Sequence, residues 1–89
     1  LVEVHRRLQR AREELTVLEE QLAVFAEAAS ETRVRALVSE TPLAEHEHRE
    51  AQKHADAMAR SREAALADIT ELERTLDELL DRLKIESPR

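Results

Sequence analysis

Apolar residues recur along this chain at alternating spacings of three and four, and one central break divides the pattern into two nearly equal halves. Such spacings average close to the 3.6-residue turn of an α-helix, so each set of residues forms one stripe along a helix. The first half therefore predicts a helix over about residues 2–39. Its stripe consists of Leu1, Val4, Leu8, Ala11, Leu15, Leu18, Leu22, Phe25 and Ala29.

The first stripe changes shortly before the break. After Ala29 it weakens at Thr32, and the next apolar residues, Val34, Leu37 and Val38, sit on a rotated face of the helix. We interpret this rotation as a small slip in the stripe, with the three side chains forming a separate cluster that closes the end of the fold.

The break itself is the segment Ser39-Glu40-Thr41-Pro42. Thr41 is a predicted N-cap, and Pro42 suits the first position of a helix, where its fixed φ and missing N–H are tolerated. These residues predict a turn over about residues 39–42. Because Ser87-Pro88 ends the second half, the second helix is predicted over about residues 42–85. The second stripe consists of Ala44, His48, Ala51, Ala55, Met58, Arg62, Ala65, Ile69, Leu72, Leu76, Leu79 and Leu83.

Two helical stripes joined by a short turn predict an all-α fold: a two-helix antiparallel coiled-coil hairpin that forms one domain over residues 1–89. Folding at the turn brings Leu8 opposite Leu72 and the arginines of residues 6–12 beside the carboxylates of residues 68–78. We call the line where the two stripes meet the seam. The main residues predicted to hold it together are Leu8, Leu15, Leu18, Leu22, Phe25, Met58, Ile69, Leu72, Leu76 and Leu79.

Two seam positions carry unusual side chains. Phe25 is the single aromatic residue, and the hairpin places it near the small Ala55. Arg62 interrupts the second stripe, where a guanidinium needs a carboxylate partner, and Glu19 or Glu63 lies near enough to provide one. We expect the aliphatic part of Arg62 to cover the seam while its charged end reaches water. The alternative is that Arg62 fixes the register of the two helices.

Composition excludes several classes of function. Charged residues make up 38% of the chain and aromatic residues 1%, and glycine is absent, as is typical of long helices. A net charge of −6 disfavours a nucleic acid as partner, because neutralising phosphates supplies most of that affinity. No apolar run approaches a membrane span, so we expect no membrane partner and a cytoplasmic location. The arginine- and alanine-rich composition is typical of bacterial proteins from GC-rich genomes.

The chain offers little for catalysis or cofactor binding, since it has no nucleophile–base set, glycine-rich loop or cysteine. We therefore expect a non-enzymatic protein without a cofactor. His46, Glu50 and His54 follow one another at four-residue spacing, and such ligands suit zinc or nickel. However, a spacing of eight residues separates the two imidazoles by about 12 Å along the helix, too far to share one ion. These residues remain weak metal candidates, and a solvated polar face is the preferred interpretation.

Apolar residues outside the seam are the main candidates for a partner-binding surface. They are Val34, Leu37, Val38, Leu43, Leu66 and Leu80. Widened apolar stripes are typical of helices that contact two neighbours, which favours either a homodimeric four-helix bundle or a complex with another protein. Two simpler explanations remain open: scattered apolar residues are common on protein surfaces, and Leu43 is placed to pack on Leu37 or Val38 as a hydrophobic staple.

The function that these patterns favour is a regulatory or adaptor protein that acts through coiled-coil protein–protein interaction. Bacterial transcription-associated proteins, such as anti-sigma-like or polymerase-associated coiled coils, are one example of this class. A self-associating structural spacer is the alternative. A metal- or small-ligand-binding helical bundle is a further alternative that depends on the histidines.

Overall fold

The computed structural model describes residues 1–86 and confirms the predicted fold class, an all-α hairpin without a strand in that range. Helix α1 spans Val2–Ser39 and helix α2 spans Pro42–Glu86. The start of α2 at Pro42 is as predicted. The signal expected to end α2, Ser87-Pro88, lies outside the described residues.

The hairpin is a rod of 72 × 15 × 14 Å with a radius of gyration of 20.5 Å. A compact domain of this length has a radius of gyration of about 12 Å, so the chain has almost no interior. Each helix contacts the other along one stripe and faces solvent on its remaining sides. The buried side chains among the described residues are Leu8, Ala29, Ala55 and Ile69.

The turn between the helices consists of Glu40 and Thr41. Glu40 adopts the left-handed conformation, with φ 50° and ψ 35°, and its N–H donates to the carbonyl of Ala36 at 3.0 Å, which ends α1. The hydroxyl of Thr41 accepts a hydrogen bond from the N–H of Ala44 at 3.2 Å, which confirms the predicted N-cap of α2. Two helices joined by a connection of this length form a helical hairpin, in which they lie side by side and antiparallel.

The predicted slip in the first stripe is wrong. Partial burial continues without rotation from Ala29 through Thr32 to Ala36, so the seam reaches the turn. Thr32 is accommodated there because its hydroxyl lies 2.8 Å from the carbonyl oxygen of Ala28 and 3.0 Å from that of Ala29, and donates its proton to them. The expected closing cluster of Val34, Leu37 and Val38 is wrong as well, since all three side chains are exposed.

Side-chain pairs between the helices fix the antiparallel register. Near the chain ends, the guanidinium of Arg12 donates to the carboxylate of Glu73 at 3.0 Å, as the predicted meeting of basic and acidic segments requires. Farther along the rod, the ring of Phe25 stacks on that of His54, with centroids 5.5 Å apart and planes 22° from parallel. Phe25 was expected near the small Ala55, and the residue on which its ring stacks comes directly before that alanine in the chain.

Truncation of one seam leucine tests this packing. Leu8 is 2% exposed, so Leu8→Ala removes buried methyl groups and is expected to lower the free energy of unfolding by about 2–4 kcal/mol. The matched control is Leu37→Ala, because Leu37 is 67% exposed and its truncation should change the free energy by less than about 0.5 kcal/mol. Urea denaturation followed by circular dichroism measures both. Equal losses in the two variants would contradict the observed seam.

Candidate functional site

Four large apolar side chains stand exposed at the end of the rod formed by the turn. Val34 is 59% exposed, Leu37 67%, Val38 79% and Leu43 67%. We call these four residues the tip cluster. Because a leucine or valine gains free energy when it leaves water, an exposed group of this kind is a candidate for protein binding.

The tip cluster is exposed because its residues fall outside the seam positions of their helices. Ala36 and Ala44 lie in the seam on either side of the turn, and the next seam positions are Thr32 and His48. These four seam residues are partly buried, whereas the valine and leucine side chains of the tip cluster are exposed.

The structure does not bury the tip residues against one another. In a hydrophobic staple, Leu43 would cover Leu37 or Val38. However, Leu37 and Leu43 are each 67% exposed and Val38 is 79% exposed. Exposed charged residues of both signs neighbour the tip cluster along the sequence. They are Arg33, Arg35, Glu40, Glu45 and Glu47. An apolar centre with a charged rim is the usual anatomy of a protein–protein contact surface.

Other apolar residues lie exposed or half-buried along the rod. Val17 and Val24 are exposed on α1, and on α2 Leu66 is half-buried whereas Leu80 is 42% exposed. At the end of the rod opposite the turn, Leu80 lines an open groove with Leu1, Val2, His5 and Leu76. The seam therefore covers only part of the apolar surface of the two helices.

Arg62 makes the expected contact across the seam. Its Nε donates to the carboxylate of Glu19 at 3.2 Å, so the structure selects Glu19 from the two carboxylates that the sequence offered. Both side chains are partly exposed, and ion pairs of this kind contribute only about 0–1 kcal/mol. Arg62 thus occupies a seam position while its charged end remains accessible to water.

His48 forms a second polar contact in the seam. Its Nδ1 lies 3.4 Å from the hydroxyl oxygen of Thr32. Because the single hydroxyl proton of Thr32 is donated to the backbone of its own helix, the oxygen is left as an acceptor for Nδ1–H. The contact therefore requires a proton on Nδ1 of His48. Thr32 and His48 thus form a polar layer close to the turn.

Within residues 1–85, no group of three or more His, Cys, Asp or Glu side chains is arranged to hold a metal ion. Of the weak candidates, His46 is exposed, Glu50 pairs with Lys53 at 3.4 Å, and His54 stacks on Phe25. The stacking role of His54 was missed from the sequence. The signal available was its position just outside the second stripe, on the side that faces Phe25.

One ionisable group in the described region has a clear shift. The hydrogen bond from Arg74 to the carboxylate of Glu71 raises the pKa of the guanidinium. An arginine is already charged at neutral pH, so this shift gives it no acid–base role.

Comparison with protein-family models, curated proteins and solved structures finds no match for this chain. Over residues 1–86, neither helix contains a stretch long and apolar enough to cross a lipid bilayer.

Replacing Arg62 tests whether its charge is needed in the seam. We expect Arg62→Leu to raise the free energy of unfolding by about 1 kcal/mol, because it restores an apolar seam position at the cost of one partly exposed ion pair. Glu19→Gln is the control, since it removes the ion pair without filling the seam and should lower stability by less than about 1 kcal/mol. Denaturant unfolding measures both. A loss of stability in Arg62→Leu would show that the ion pair outweighs apolar packing at this position.

Proposed function

We propose that this chain is a non-enzymatic protein-binding module with a regulatory or adaptor role, which acts through exposed apolar side chains on a helical hairpin. The observation that carries the proposal is the tip cluster: four valine and leucine side chains are at least 59% exposed at one end of a 72 Å rod. The seam leaves them uncovered, and a partner protein supplies the missing contact.

The chemistry of the tip defines the kind of partner. Full burial of a valine or leucine side chain contributes about 1.5–3 kcal/mol, so even partial burial of four such residues provides a useful part of a binding free energy. Arg33, Arg35, Glu40, Glu45 and Glu47 at the rim favour a partner groove that is apolar in its centre and charged at its edge. A projecting helical tip suits such a groove because it presents its side chains away from the rest of the rod.

This proposal includes the more specific role suggested by the sequence. A bacterial, cytoplasmic, transcription-associated protein, such as an anti-sigma-like or polymerase-associated coiled coil, belongs to this class. The arginine- and alanine-rich composition supports a bacterial source.

A second candidate function is self-association as a structural spacer. The observation that favours it is the apolar surface along the rod, where Val17, Val24, Leu66 and Leu80 keep part of their area exposed. Two hairpins lying side by side would cover such residues and form a homodimeric four-helix bundle. Binding at the tip and self-association along the rod use different residues, so both are compatible with one molecule.

Substitutions at the tip test the leading proposal. We expect Leu37→Glu combined with Val38→Glu to lower capture of the partner protein by about tenfold or more, because two carboxylates replace apolar contacts at the centre of the surface. The matched control is Val2→Glu combined with Ile85→Glu, which makes the same chemical change at the opposite end of the rod, where both residues are similarly exposed. Affinity capture from bacterial lysate with quantitative mass spectrometry measures the effect.

Circular dichroism of each variant checks that the hairpin is still folded. Capture of the same protein at the same level by the wild type and the tip variant would contradict a binding role for the tip. If no protein is enriched by the wild type over the tip variant, the spacer function is favoured instead.

A further inference from the structure

Four residues of α1 lie on one stripe outside the seam: Arg10, Val17, Val24 and Glu31. They follow one another at seven-residue spacing, which is close to two whole helical turns, so their side chains point in nearly the same direction. All four are exposed, Val17 by 51% and Val24 by 66%. The order along the helix is basic, apolar, apolar, acidic. We call this set the α1 stripe.

The α1 stripe is complementary to itself when its direction is reversed. Its midpoint lies between Glu20 and Gln21. A second α1 helix that runs antiparallel about this midpoint places its Val24 opposite Val17 and its Glu31 opposite Arg10. A two-fold axis repeats each contact, so the interface contains two valine pairs and two ion pairs.

Neither charge of the stripe takes part in an ion pair among residues 1–85. Neighbouring arginines are engaged: Arg6 and Arg7 pair with Glu3, and Arg12 pairs with Glu73. The remaining ion pairs of this range also involve neither Arg10 nor Glu31. Both side chains are therefore available to a second molecule.

Val17 borders an opening in the surface. A groove on this face is lined by Glu13, Glu14, Val17 and Leu18. Leu18 belongs to the seam, so an apolar side chain that enters the groove contacts Val17 and the edge of the seam together. In the antiparallel arrangement, the side chain that lies over this groove is Val24 of the second copy.

The surroundings of the stripe favour one direction of approach. On one side lie Glu13, Glu20 and Glu27, which would repel the same residues of a second copy. On the other side lie Glu14, Gln21 and Ala28, of which only Glu14 is charged. When the second copy packs on the Gln21 side, the Gln21 side chains of the two molecules lie close together at the two-fold axis. Glu13, Glu20 and Glu27 then lie at the solvent-exposed rim.

From these observations we propose that two copies of this chain form a dimer through the α1 stripe, with their α1 helices antiparallel and a two-fold axis between Glu20 and Gln21. This dimer rests on the proposed self-association of the rod and assigns it a face and a register. The tip cluster takes no part in the contact and remains free for another protein.

Charge reversal and its rescue test the dimer. Arg10→Glu places two carboxylates opposite each other at both ends of the interface, and Glu31→Arg does the same with two guanidinium groups. We expect each single variant to weaken dimerisation by about tenfold or more at low salt, where exposed charges are least screened. The double variant, Arg10→Glu with Glu31→Arg, restores opposite charges and should return the dissociation constant to within about threefold of the wild type. Sedimentation equilibrium measures all three.

Three further variants test whether dimerisation uses the α1 stripe and no other surface. Val24→Glu should also weaken dimerisation about tenfold or more while the hairpin remains helical by circular dichroism, because Val24 does not contribute to the seam. Arg60→Glu reverses an exposed charge on α2, away from the α1 stripe, and should leave dimerisation unchanged. The tip variant, Leu37→Glu with Val38→Glu, should dimerise normally, so a failure of tip binding and a failure of the dimer give different results.

Three results would overturn the proposed dimer. The first is a wild-type protein that stays monomeric at all concentrations tested. The second is a dissociation constant that changes no more in the charge-reversal variants than in Arg60→Glu. The third is a double variant that remains as weak as the single ones, because rescue is specific to the antiparallel pairing of Arg10 with Glu31 of the second copy.

Discussion

Glu40 and Thr41 are the two residues between the helices, and their conformation decides which side chains of the chain can meet. Glu40 turns the backbone through the left-handed region, and the hydroxyl of Thr41 caps the first turn of α2. With so short a connection the helices lie antiparallel, and positions at similar distances from the turn become neighbours. The contacts of Arg12 with Glu73, Arg62 with Glu19 and Thr32 with His48 all follow from this reversal.

A hairpin of this shape cannot cover all of its apolar side chains. Two helices share one stripe of contact, and among the described residues only four side chains are buried. Near the turn the seam consists of small or polar residues, whereas the larger valine and leucine side chains lie outside. Farther along α1, Val17 and Val24 also lie outside the seam and remain exposed. These exposed side chains are the basis of the proposed partner binding, because a second surface that covers them would remove them from water.

Much of the fold could be predicted from the sequence because spacing and turn chemistry are local signals. The two stripes, the N-cap at Thr41 and the start of α2 at Pro42 required only the order of residue types. The slip near Thr32 was wrong because the apolar pattern alone ignores the ability of a threonine hydroxyl to bond to its own helix. The stacking of His54 on Phe25 depends on the rotation of each helix about its axis, which residue spacing specifies only loosely. The candidate tip residues were identifiable, but their exposure depended on the seam continuing through Thr32 and Ala36, which the apolar pattern did not indicate.

The most direct test of the hairpin is a distance between its two helices. The chain has no cysteine, so Gln9→Cys with Thr70→Cys provides two unique exposed sites for nitroxide labels, one on each helix. Labelled protein is diluted with excess unlabelled protein, and the distance within one molecule is measured by pulsed electron spin resonance. Neighbouring helix axes lie about 8–10 Å apart, so the hairpin predicts a label separation below about 30 Å. A distance near 90 Å, which an unbroken helix between the two sites would give, would contradict the reversal at Glu40 and Thr41.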